Sequence, residues 1–223
     1  MGVHEIRSPD DAAEPDVFVR RRAEMIRTIA ARGIRNGRVL AAWAAIDRHH
    51  FVPAERIHDA YVDRALPIGS GQTISQPFMV AIMATAARLQ PGDTVVEIGA
   101  GSGYGAAVLG CLAGRVITVE RDPDLAAGAA RRLAADGYDN VEVVVGDGTA
   151  GWPADAPYDA IVVTAAPRRV PPGLLDQLVD GGRLVIPLGR ARQVQRLWRF
   201  ERDGATVGRT ALGPVRFVPL ISG

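Results

Sequence analysis

Residues 95–107 read VVEIGAGSGYGAA, and this stretch of the sequence decides the fold. A run of mostly β-branched residues leads into three alternating glycines, Gly99, Gly101 and Gly103, and a stretch of small residues follows them. Glycine has no side chain, so the backbone can turn tightly there and approach a ligand closely. The stretch therefore predicts a strand, a glycine turn and a helix within a nucleotide-binding α/β sheet.

Strand-like and helix-like segments alternate on both sides of this turn. The predicted helices are residues 19–31, 38–47, 78–89, 104–113, 123 to about 137, and 172–179, the last stopped by Gly181 and Gly182. The predicted strands are residues 94–98, 115–120, 141–145, 160–163, 183–187, 194–200 and 215–219. This alternation indicates an α/β fold with a doubly wound, mostly parallel Rossmann-like sheet and helices on both faces. Such sheets bind ligands at the carboxyl ends of their strands.

Composition argues against several classes of function. The 223-residue chain has a net charge of +1, which does not indicate a nucleic-acid partner. All 26 basic residues are arginine, so there is no P-loop lysine, no Schiff-base lysine and no Tyr-x-x-x-Lys pair for hydride transfer. The four histidines lack the paired spacing of a zinc site, so we expect no metal.

The sequence predicts a cytoplasmic protein without membrane attachment, and we expect a monomer. Its longest apolar stretch, residues 78–87, is far too short to cross a bilayer. Residues 1–16 lack the apolar core of a secretory signal and are predicted to form a flexible tail. Cys111 is the single cysteine, which excludes an intramolecular disulfide and fits a reducing compartment.

Two kinds of ligand fit the glycine turn. Gly101, Gly103 and Ala106 satisfy the dinucleotide fingerprint G-x-G-x-x-G/A, and Glu120 at the end of the next strand can hold a ribose in either case. Glu97 stands directly before the glycines, where a carboxylate disfavours a pyrophosphate. The same carboxylate suits the cationic amino and sulfonium groups of S-adenosylmethionine.

A third carboxylate favours the second ligand. Asp147 follows the next strand in VVVGDGTAG, where it can accept a hydrogen bond from an adenine amino group. Each acid taken alone could be an ordinary turn or cap residue, but three acids at successive strand ends indicate a common ligand. With no lysine for hydride transfer, the sequence favours S-adenosylmethionine, with S-adenosylhomocysteine as product, over a nicotinamide dinucleotide.

Several motifs along the chain resemble one family of methyltransferases, the protein-L-isoaspartate O-methyltransferases. The matching blocks are RHHFVP (48–53), LPIGSGQTISQP (66–77), EIGAGSGY (97–104), GDG (146–148), YDAIVVTAA (158–166), QLVDGGRLVIPLG (177–189) and VRFVPL (215–220). They occur in the family's order and cover roughly residues 23–220. Many methyltransferases share the motifs around the cofactor, whereas TISQP and FVPL are much more particular to this family.

The resemblance implies a repair enzyme whose partners are proteins and peptides that contain isoaspartyl residues. Such an enzyme methylates the free α-carboxylate of an L-isoaspartyl residue with S-adenosylmethionine. The ester loses methanol to a neighbouring backbone nitrogen, and the succinimide hydrolyses partly to normal aspartate. The family assigns catalysis to the serine of TIS, here Ser75, and places the closing VRFVPL segment beside the substrate peptide.

The predicted site combines residues from the motifs and from the resemblance. The cofactor-binding set is Gln72, Thr73, Ile74, Ser75, Glu97, Gly99, Gly101, Gly103, Glu120, Arg121, Asp147, Gly148 and Thr164, and the substrate-binding set is Thr73, Ser75, Val218, Pro219 and Leu220. Residues 17–223 are expected to form one methyltransferase domain. Within it, residues 17–77 supply N-terminal helices and a segment over substrate and cofactor, and residues 78–223 supply the α/β core.

The residue types suit carboxylate methylation. A carboxylate with a reference pKa of about 3.5–4 is already ionised at neutral pH, so its methylation needs no general base. The barrier lies in alignment and in removing water from the nucleophile. Hydroxyls such as those of Thr73, Ser75 and Thr164 meet this demand, and VRFVPL could bind the peptide through its main chain. Alternatively, Ser75 caps the helix that begins near Pro77.

Gly105 and Gly110 depart from the family pattern, which has glutamine and alanine at these positions. We expect both glycines to add flexibility to a cofactor-facing helix. Three other functions stay open at this point. The first is methylation of a normal aspartate in a natural-product peptide, leading to an aspartimide. The second is a nicotinamide-dependent (NAD) oxidoreductase, and the third is cofactor binding without catalysis.

Overall fold

The computed structural model describes residues 15–221 as an α/β fold. The helices are α1 (Pro15–Ala31), α2 (Gly37–Ala45), α3 (Pro77–Ala87), α4 (Tyr104–Gly110), α5 (Pro123–Ala135) and α6 (Pro172–Asp176). The strands are β1 (Leu66–Gly69), β2 (Gln72–Ile74), β3 (Thr94–Ile98), β4 (Arg115–Glu120), β5 (Val141–Val145), β6 (Tyr158–Val163), β7 (Leu178–Leu188), β8 (Gln195–Asp203) and β9 (Thr206–Val215). Short 3-10 turns occur at Arg48–Phe51, Ala54–Asp59, Gly148–Ala150 and Pro153–Asp155.

Seven of the strands form one sheet in the order β5-β4-β3-β6-β7-β8-β9. Strands β3 to β7 are parallel, and β8 runs antiparallel to both of its neighbours. The chain leaves β3 towards β4 and β5 and then returns to β6 on the other side of β3. Ligand sites of doubly wound sheets lie where the winding reverses in this way. The predicted Rossmann-like, mostly parallel sheet is confirmed.

Two apolar cores cover the two faces of the sheet. Val95 packs with residues from the first four helices, whereas its neighbour Val96 packs on the opposite face with Leu174 of α6. Successive side chains of a strand point to opposite faces, so Val95 and Val96 are both buried although they are neighbours in the sequence. Helices lie on both faces, but α6 on the second face is only five residues long.

Asp122 caps the start of α5. The carboxylate of Asp122 accepts hydrogen bonds from the backbone N–H groups of Asp124 at 2.9 Å and Leu125 at 3.1 Å. Pro123 occupies the first turn, where its missing N–H removes no helical hydrogen bond. This cap aligns the N-terminus of α5 just beyond the carboxyl end of β4.

The helix predicted at residues 172–179 is shorter than expected. α6 ends at Asp176, and Leu178 already belongs to β7, where it pairs with Tyr158 of β6. Gly181 and Gly182 do not stop a helix, because they lie inside β7 at an irregularity in its pairing with β6. Sheet pairing and the burial of Leu178 outweigh the local helical pattern.

The strand predicted at residues 215–219 is also wrong. The sheet strand β9 ends at Val215, and the turn at Asp203 and Gly204 joins it to β8. Residues 216–220 run on to a single bridge between Pro219 and Ala166, which follows β6. The chain leaves the sheet edge here and crosses towards the carboxyl ends of the central strands.

The N-terminal part precedes the sheet, and its helices pack into the core on the face that carries Val95. The tail predicted for residues 1–16 lies outside the described residues except at its end, because α1 already begins at Pro15. The long connection at residues 48–77 contains two 3-10 turns and the antiparallel β1–β2 hairpin. Within residues 15–221, no helix is long and apolar enough to span a bilayer.

Candidate active site

A pocket, here called the inner pocket, lies at the carboxyl ends of the central strands. Every predicted cofactor-binding residue except one lines it: Gln72, Thr73, Ile74, Ser75, Glu97, Gly99, Gly101, Glu120, Arg121, Asp147, Gly148 and Thr164. The exception is Gly103, which begins α4 with a φ of +91° and faces α5. A Cβ on Gly103 would lie 3.3 Å from the Cβ of Ala129, so this glycine serves helix packing.

Thr164 fastens the glycine turn. Its hydroxyl is within donating distance of two carbonyl oxygens, that of Ile98 at 2.9 Å and that of Gly99 at 2.8 Å. Gly99 has a φ of +100°, and the hydroxyl oxygen of Thr164 occupies the space that a Cβ there would need. The single hydroxyl proton of Thr164 is thus used inside the protein, which leaves the hydroxyl only as an acceptor towards a ligand.

Glu97 is the most buried carboxylate of the inner pocket, with 1% of its surface exposed. It accepts a hydrogen bond from the hydroxyl of Thr118 at 2.6 Å. Burial raises the pKa of Glu97 to about 8, Thr118 opposes the shift, and the nearby charge of Glu120 adds to it. A cation in the inner pocket would favour the ionised form of this group.

The glycines of α4 have contacts that the sequence does not reveal. A Cβ on Gly105 would collide with Oε1 of Glu97, so the carboxylate lies in space left by the missing side chain. Gly110 does not line the inner pocket, and a Cβ there would lie 2.8 Å from Cγ2 of Val141 on β5. α4 faces the inner pocket through Tyr104, Gly105 and Leu109, and the flexibility expected from the two glycines stays a prediction.

The other two acids already hold main-chain groups. Glu120 accepts from the N–H of Gly101 at 2.9 Å and from that of Asp122 at 3.1 Å, and it is 7% exposed. Asp147 accepts from the N–H of Thr149 at 2.8 Å and caps the following 3-10 turn. Both carboxylates also line the inner pocket, so the structural role and the ligand-facing position coexist.

The sequence predictions missed the apolar part of the inner pocket. Its lining includes Val80, Met83 and Ala84 of α3 and Tyr104 and Leu109 of α4. The sequence predicts polar residues at the carboxyl ends of the strands. It gives no information about which face of a helix closes the pocket. The position of α3 directly after TISQP is the one signal in the sequence that could have indicated these residues.

A second depression, here called the outer groove, adjoins the inner pocket. Five residues line both, namely Thr73, Ser75, Thr164, Val218 and Pro219. Four of these belong to the predicted substrate-binding set, and its fifth member, Leu220, lines only the inner pocket. Ser75 therefore stands at the boundary between the two spaces.

Ser75 does not cap α3. The cap position is Gln76, and the N–H of Phe78 instead donates to the carboxylate of Asp63 at 2.9 Å. Among residues 15–221, neither Ser75 nor Thr73 has a side-chain hydrogen bond. The capping alternative for Ser75 is wrong, and its hydroxyl can serve a bound molecule.

The closing segment uses its own main chain internally. The side chain of the buried Gln195 accepts from the N–H of Phe217 at 2.7 Å and donates to its carbonyl oxygen at 3.1 Å. The N–H of Ala166 donates to the carbonyl of Val218 at 2.8 Å, and the N–H of Leu220 donates back to Ala166 at 3.1 Å. These bonds hold Val218 and Pro219 at the boundary, and binding of a peptide to the remaining main-chain groups of this segment stays a prediction.

The outer groove is positively charged. Arg32, Arg192 and Arg216 line it, and its described lining contains no aspartate or glutamate. All three arginines are exposed, and Arg32 also forms an ion pair with Asp63 and packs on the ring of Phe78. Within residues 15–221, no three His, Cys, Asp or Glu side chains are grouped so that they could hold a metal ion.

Comparisons with known proteins agree with this geometry. The family model described as protein-L-isoaspartate (D-aspartate) O-methyltransferase matches residues 20–223. A protein-L-isoaspartate O-methyltransferase of Roseiflexus castenholzii is 55% identical over 206 residues, which are 92% of this chain and 94% of the relative. One of Methanoregula boonei is 53% identical over 193 residues, covering 86% of this chain and 88% of the relative.

Solved structures show the same fold. A protein-L-isoaspartate O-methyltransferase that is 28% identical superposes with a TM-score of 0.81 over 89% of this chain and 65% of its own length. A structure from Plasmodium falciparum, in complex with S-adenosyl-L-homocysteine, is 24% identical and superposes with a TM-score of 0.77. It covers 90% of this chain and 98% of its own.

Proposed function

The chain belongs to the protein-L-isoaspartate (D-aspartate) O-methyltransferase family, and from this membership we propose how its site works. The protein transfers a methyl group from S-adenosylmethionine to the free α-carboxylate of L-isoaspartyl residues in damaged proteins and peptides. The methyl ester then closes to a succinimide with loss of methanol, and hydrolysis returns part of it to aspartate. The observation that carries the proposal is the position of Ser75 between the inner pocket and the outer groove.

The side chains that line the inner pocket suit S-adenosylmethionine. Three carboxylates line it, and Arg121 is its one basic residue among those described, which suits a cationic ligand better than a pyrophosphate. Glu120 is placed to hold the ribose hydroxyls, Asp147 the adenine amino group, and Glu97 the cationic amino acid end. When bound, S-adenosylmethionine supplies a methyl group activated by a sulfonium.

The chain's own residues orient the acceptor and keep water away from it. The carboxylate needs no base, so the Ser75 hydroxyl acts as a donor that holds one carboxylate oxygen while the other faces the inner pocket. Thr164 cannot share this task as a donor, because its proton is already used on the glycine turn. The β2 segment and residues 218–220 line the inner pocket beside the central strand ends and restrict water there.

The remaining features of the proposal concern organisation and location. Residues 17–223 act as one domain, in which residues 17–77 cover the site and residues 78–223 form the sheet with its helices. The protein works as a monomer in the cytoplasm on isoaspartyl-containing proteins and peptides, without nucleic-acid or membrane partners. No observation on the site favours the natural-product, oxidoreductase or non-catalytic alternatives.

The decisive experiment is a methyl-transfer assay on matched pairs of peptides. Each pair has one sequence and differs only in whether the aspartate is linked through its α or its side-chain carboxyl group. We expect methylation of the L-isoaspartyl member of several unrelated pairs, with normal aspartyl members close to background. Comparable rates on both members, or activity confined to one modified peptide, would contradict the repair function.

A further inference from the structure

A fully buried arginine lies beneath the Ser75 segment. Arg48 occupies the 3-10 turn that follows α2, and its exposed fraction is 0%. Guanidinium stays protonated in proteins, and a buried charge is costly unless it is well compensated. Arg48 nevertheless forms no ion pair within residues 15–221, so other groups must compensate its charge.

Three contacts hold Arg48 in place. Nε donates to the carbonyl oxygen of Ala60 at 2.7 Å, and Nη2 donates to the carbonyl oxygen of Ser75 at 2.9 Å. The guanidinium carbon lies 4.4 Å from the centre of the Tyr104 ring. Burial lowers the pKa of Arg48, while the electrostatic effects of Tyr104 and, more weakly, Asp63 oppose this shift.

These contacts join the two sides of the site. The Ser75 carbonyl belongs to the segment at the boundary with the outer groove, and Tyr104 lines the inner pocket at the start of α4. On the far side of Ser75, the side-chain amide of Gln76 donates to the Asp63 carboxylate at 2.9 Å. Arg48 therefore fixes the carbonyl of Ser75, while Asp63 holds the side chain of the following residue, Gln76.

We propose that Arg48 is a positioning residue for the methyl transfer. It fixes the main chain of Ser75 relative to Tyr104, which lines the inner pocket. This inference rests on the proposed function. Arg48 touches neither substrate nor cofactor in this role. A rigid planar fork suits it, because two donors with fixed geometry hold two carbonyls at once, which a lysine ammonium cannot do in the same way.

Arg38 provides a matched control. Its guanidinium also donates to two carbonyls, those of Leu89 at 2.5 Å and Leu112 at 2.6 Å. These carbonyls follow α3 and α4 and lie at the amino ends of β3 and β4, opposite to the inner pocket. Arg38 lines neither the inner pocket nor the outer groove. An effect that comes only from losing two such hydrogen bonds should also appear at Arg38, although Arg38 is exposed and Arg48 is fully buried.

The test compares Arg48→Gln, Arg48→Lys and Arg38→Gln with the wild type. For each protein, kcat and KM on an isoaspartyl peptide, the affinity for S-adenosylhomocysteine and the melting temperature are measured. We expect Arg48→Gln to lower kcat by about tenfold to a hundredfold, because displacement of a positioned group has effects of this size. The affinity for S-adenosylhomocysteine should change less than about threefold, and Arg48→Lys should lie between Arg48→Gln and the wild type.

Amide hydrogen exchange gives a readout that does not depend on activity. Exchange over residues 72–78 should accelerate in the two Arg48 variants and stay unchanged in Arg38→Gln. Equal kcat losses in Arg48→Gln and Arg38→Gln, or a wild-type kcat in Arg48→Gln, would overturn the inference. If Arg48→Gln does not fold, Arg48→Lys carries the same comparison. If the wild type methylates no isoaspartyl peptide, the proposed function fails, and unchanged exchange over residues 72–78 would separately overturn the role of Arg48.

Discussion

The inner pocket and the outer groove meet at Ser75 but carry opposite charges. Glu97, Glu120 and Asp147 give the inner pocket three carboxylates, whereas arginines and no described acids line the outer groove. The difference matches the two reactants, because the methyl donor is a cation and the acceptor is a carboxylate. In the proposed function each space favours its own reactant, and the uncharged hydroxyl of Ser75 would lie where the two reactants meet.

This contrast is invisible in the composition. The net charge of +1 indicates no particular partner, because the acidic and basic groups cancel over the whole chain. Charges act within roughly 8–10 Å in physiological salt, so the local arrangement matters for binding more than the total. The following substitutions test the boundary first, then the inner pocket, and finally the outer groove.

The largest effect is expected at the boundary. Ser75→Ala should lower kcat by about 10²–10³-fold, the range found when one preorganised donor to an oxyanion is removed. The affinity for S-adenosylhomocysteine and the melting temperature should change little, because Ser75 does not cap α3. Ser70→Gly is the control, since Ser70 is exposed in the β1–β2 turn with a φ of 49° and lies outside both spaces. A wild-type kcat for Ser75→Ala would remove Ser75 from catalysis.

Glu120→Ala should weaken the inner pocket next. A hydrogen bond to a charged group contributes about 1.5–3 kcal/mol, so the Kd for S-adenosylmethionine should rise by roughly tenfold to a hundredfold. Calorimetry on the folded variant measures this change. The control is Glu142→Ala, which removes a carboxylate of β5 that pairs with Arg115 and does not line the inner pocket. An unchanged Kd for Glu120→Ala would exclude Glu120 from the cofactor site.

The pH dependence of binding should identify Glu97. Its pKa of about 8 lies above the ordinary value of 4.5, so the group is mainly protonated in the ligand-free protein at neutral pH. A cationic ligand favours the carboxylate, and affinity should therefore increase by up to about tenfold per pH unit until pH is about 8. Titrations between pH 6 and 9 should show this slope, and Glu97→Gln should remove it.

The stability of the ligand-free protein should fall with rising pH, opposite to the affinity for the ligand, because both depend on Glu97. Because the folded pKa of Glu97 is raised, its contribution to stability is fully present below pH 4.5 and is lost as pH rises through about 8. The ligand-free protein should therefore melt at a lower temperature at pH 9 than at pH 6, by a margin that shrinks in Glu97→Gln. Equal slopes in both proteins would show that other groups cause the dependence.

Gly105→Ala and Gly110→Ala should separate binding from packing. The new Cβ at position 105 displaces the flexible end of Glu97, so we expect weaker S-adenosylmethionine binding by several-fold and little loss of stability. The Cβ at position 110 crowds Val141 at 2.8 Å, so we expect about 1 kcal/mol lower stability with unchanged affinity. The affinity for S-adenosylmethionine and the melting temperature of each variant test these expectations. Unchanged affinity in Gly105→Ala with weaker binding in Gly110→Ala would contradict the link between Gly105 and Glu97.

The smallest effect is expected in the outer groove. Arg216 is exposed, so Arg216→Gln should raise KM for an isoaspartyl peptide with acidic neighbours by only a few-fold, and mainly at low salt. The same peptide with basic neighbours should be less affected. The control is Arg209→Gln on β9, which lies outside the groove. A change in KM that is independent of salt and peptide charge would argue against an electrostatic role.

Local patterns alone determined the centre of the fold. β3, β4 and β5 have the predicted bounds, because each is rich in β-branched residues and ends at a charged or glycine-rich turn. The glycine turn and its acids could be predicted because residues adjacent in sequence form them. The family motifs also indicated Ser75 and the closing segment, although no geometry for either followed from the sequence.

Only the tertiary structure decided the features that depend on contacts distant in sequence. Leu178 joins β7 because it pairs with β6, and Thr164 uses its proton on Gly99, 65 residues away. Arg48 reaches the Ser75 carbonyl across 27 residues. Local propensities are weak free energies, whereas sheet pairing and the compensation of buried polar groups are larger and are defined only once the chain has folded.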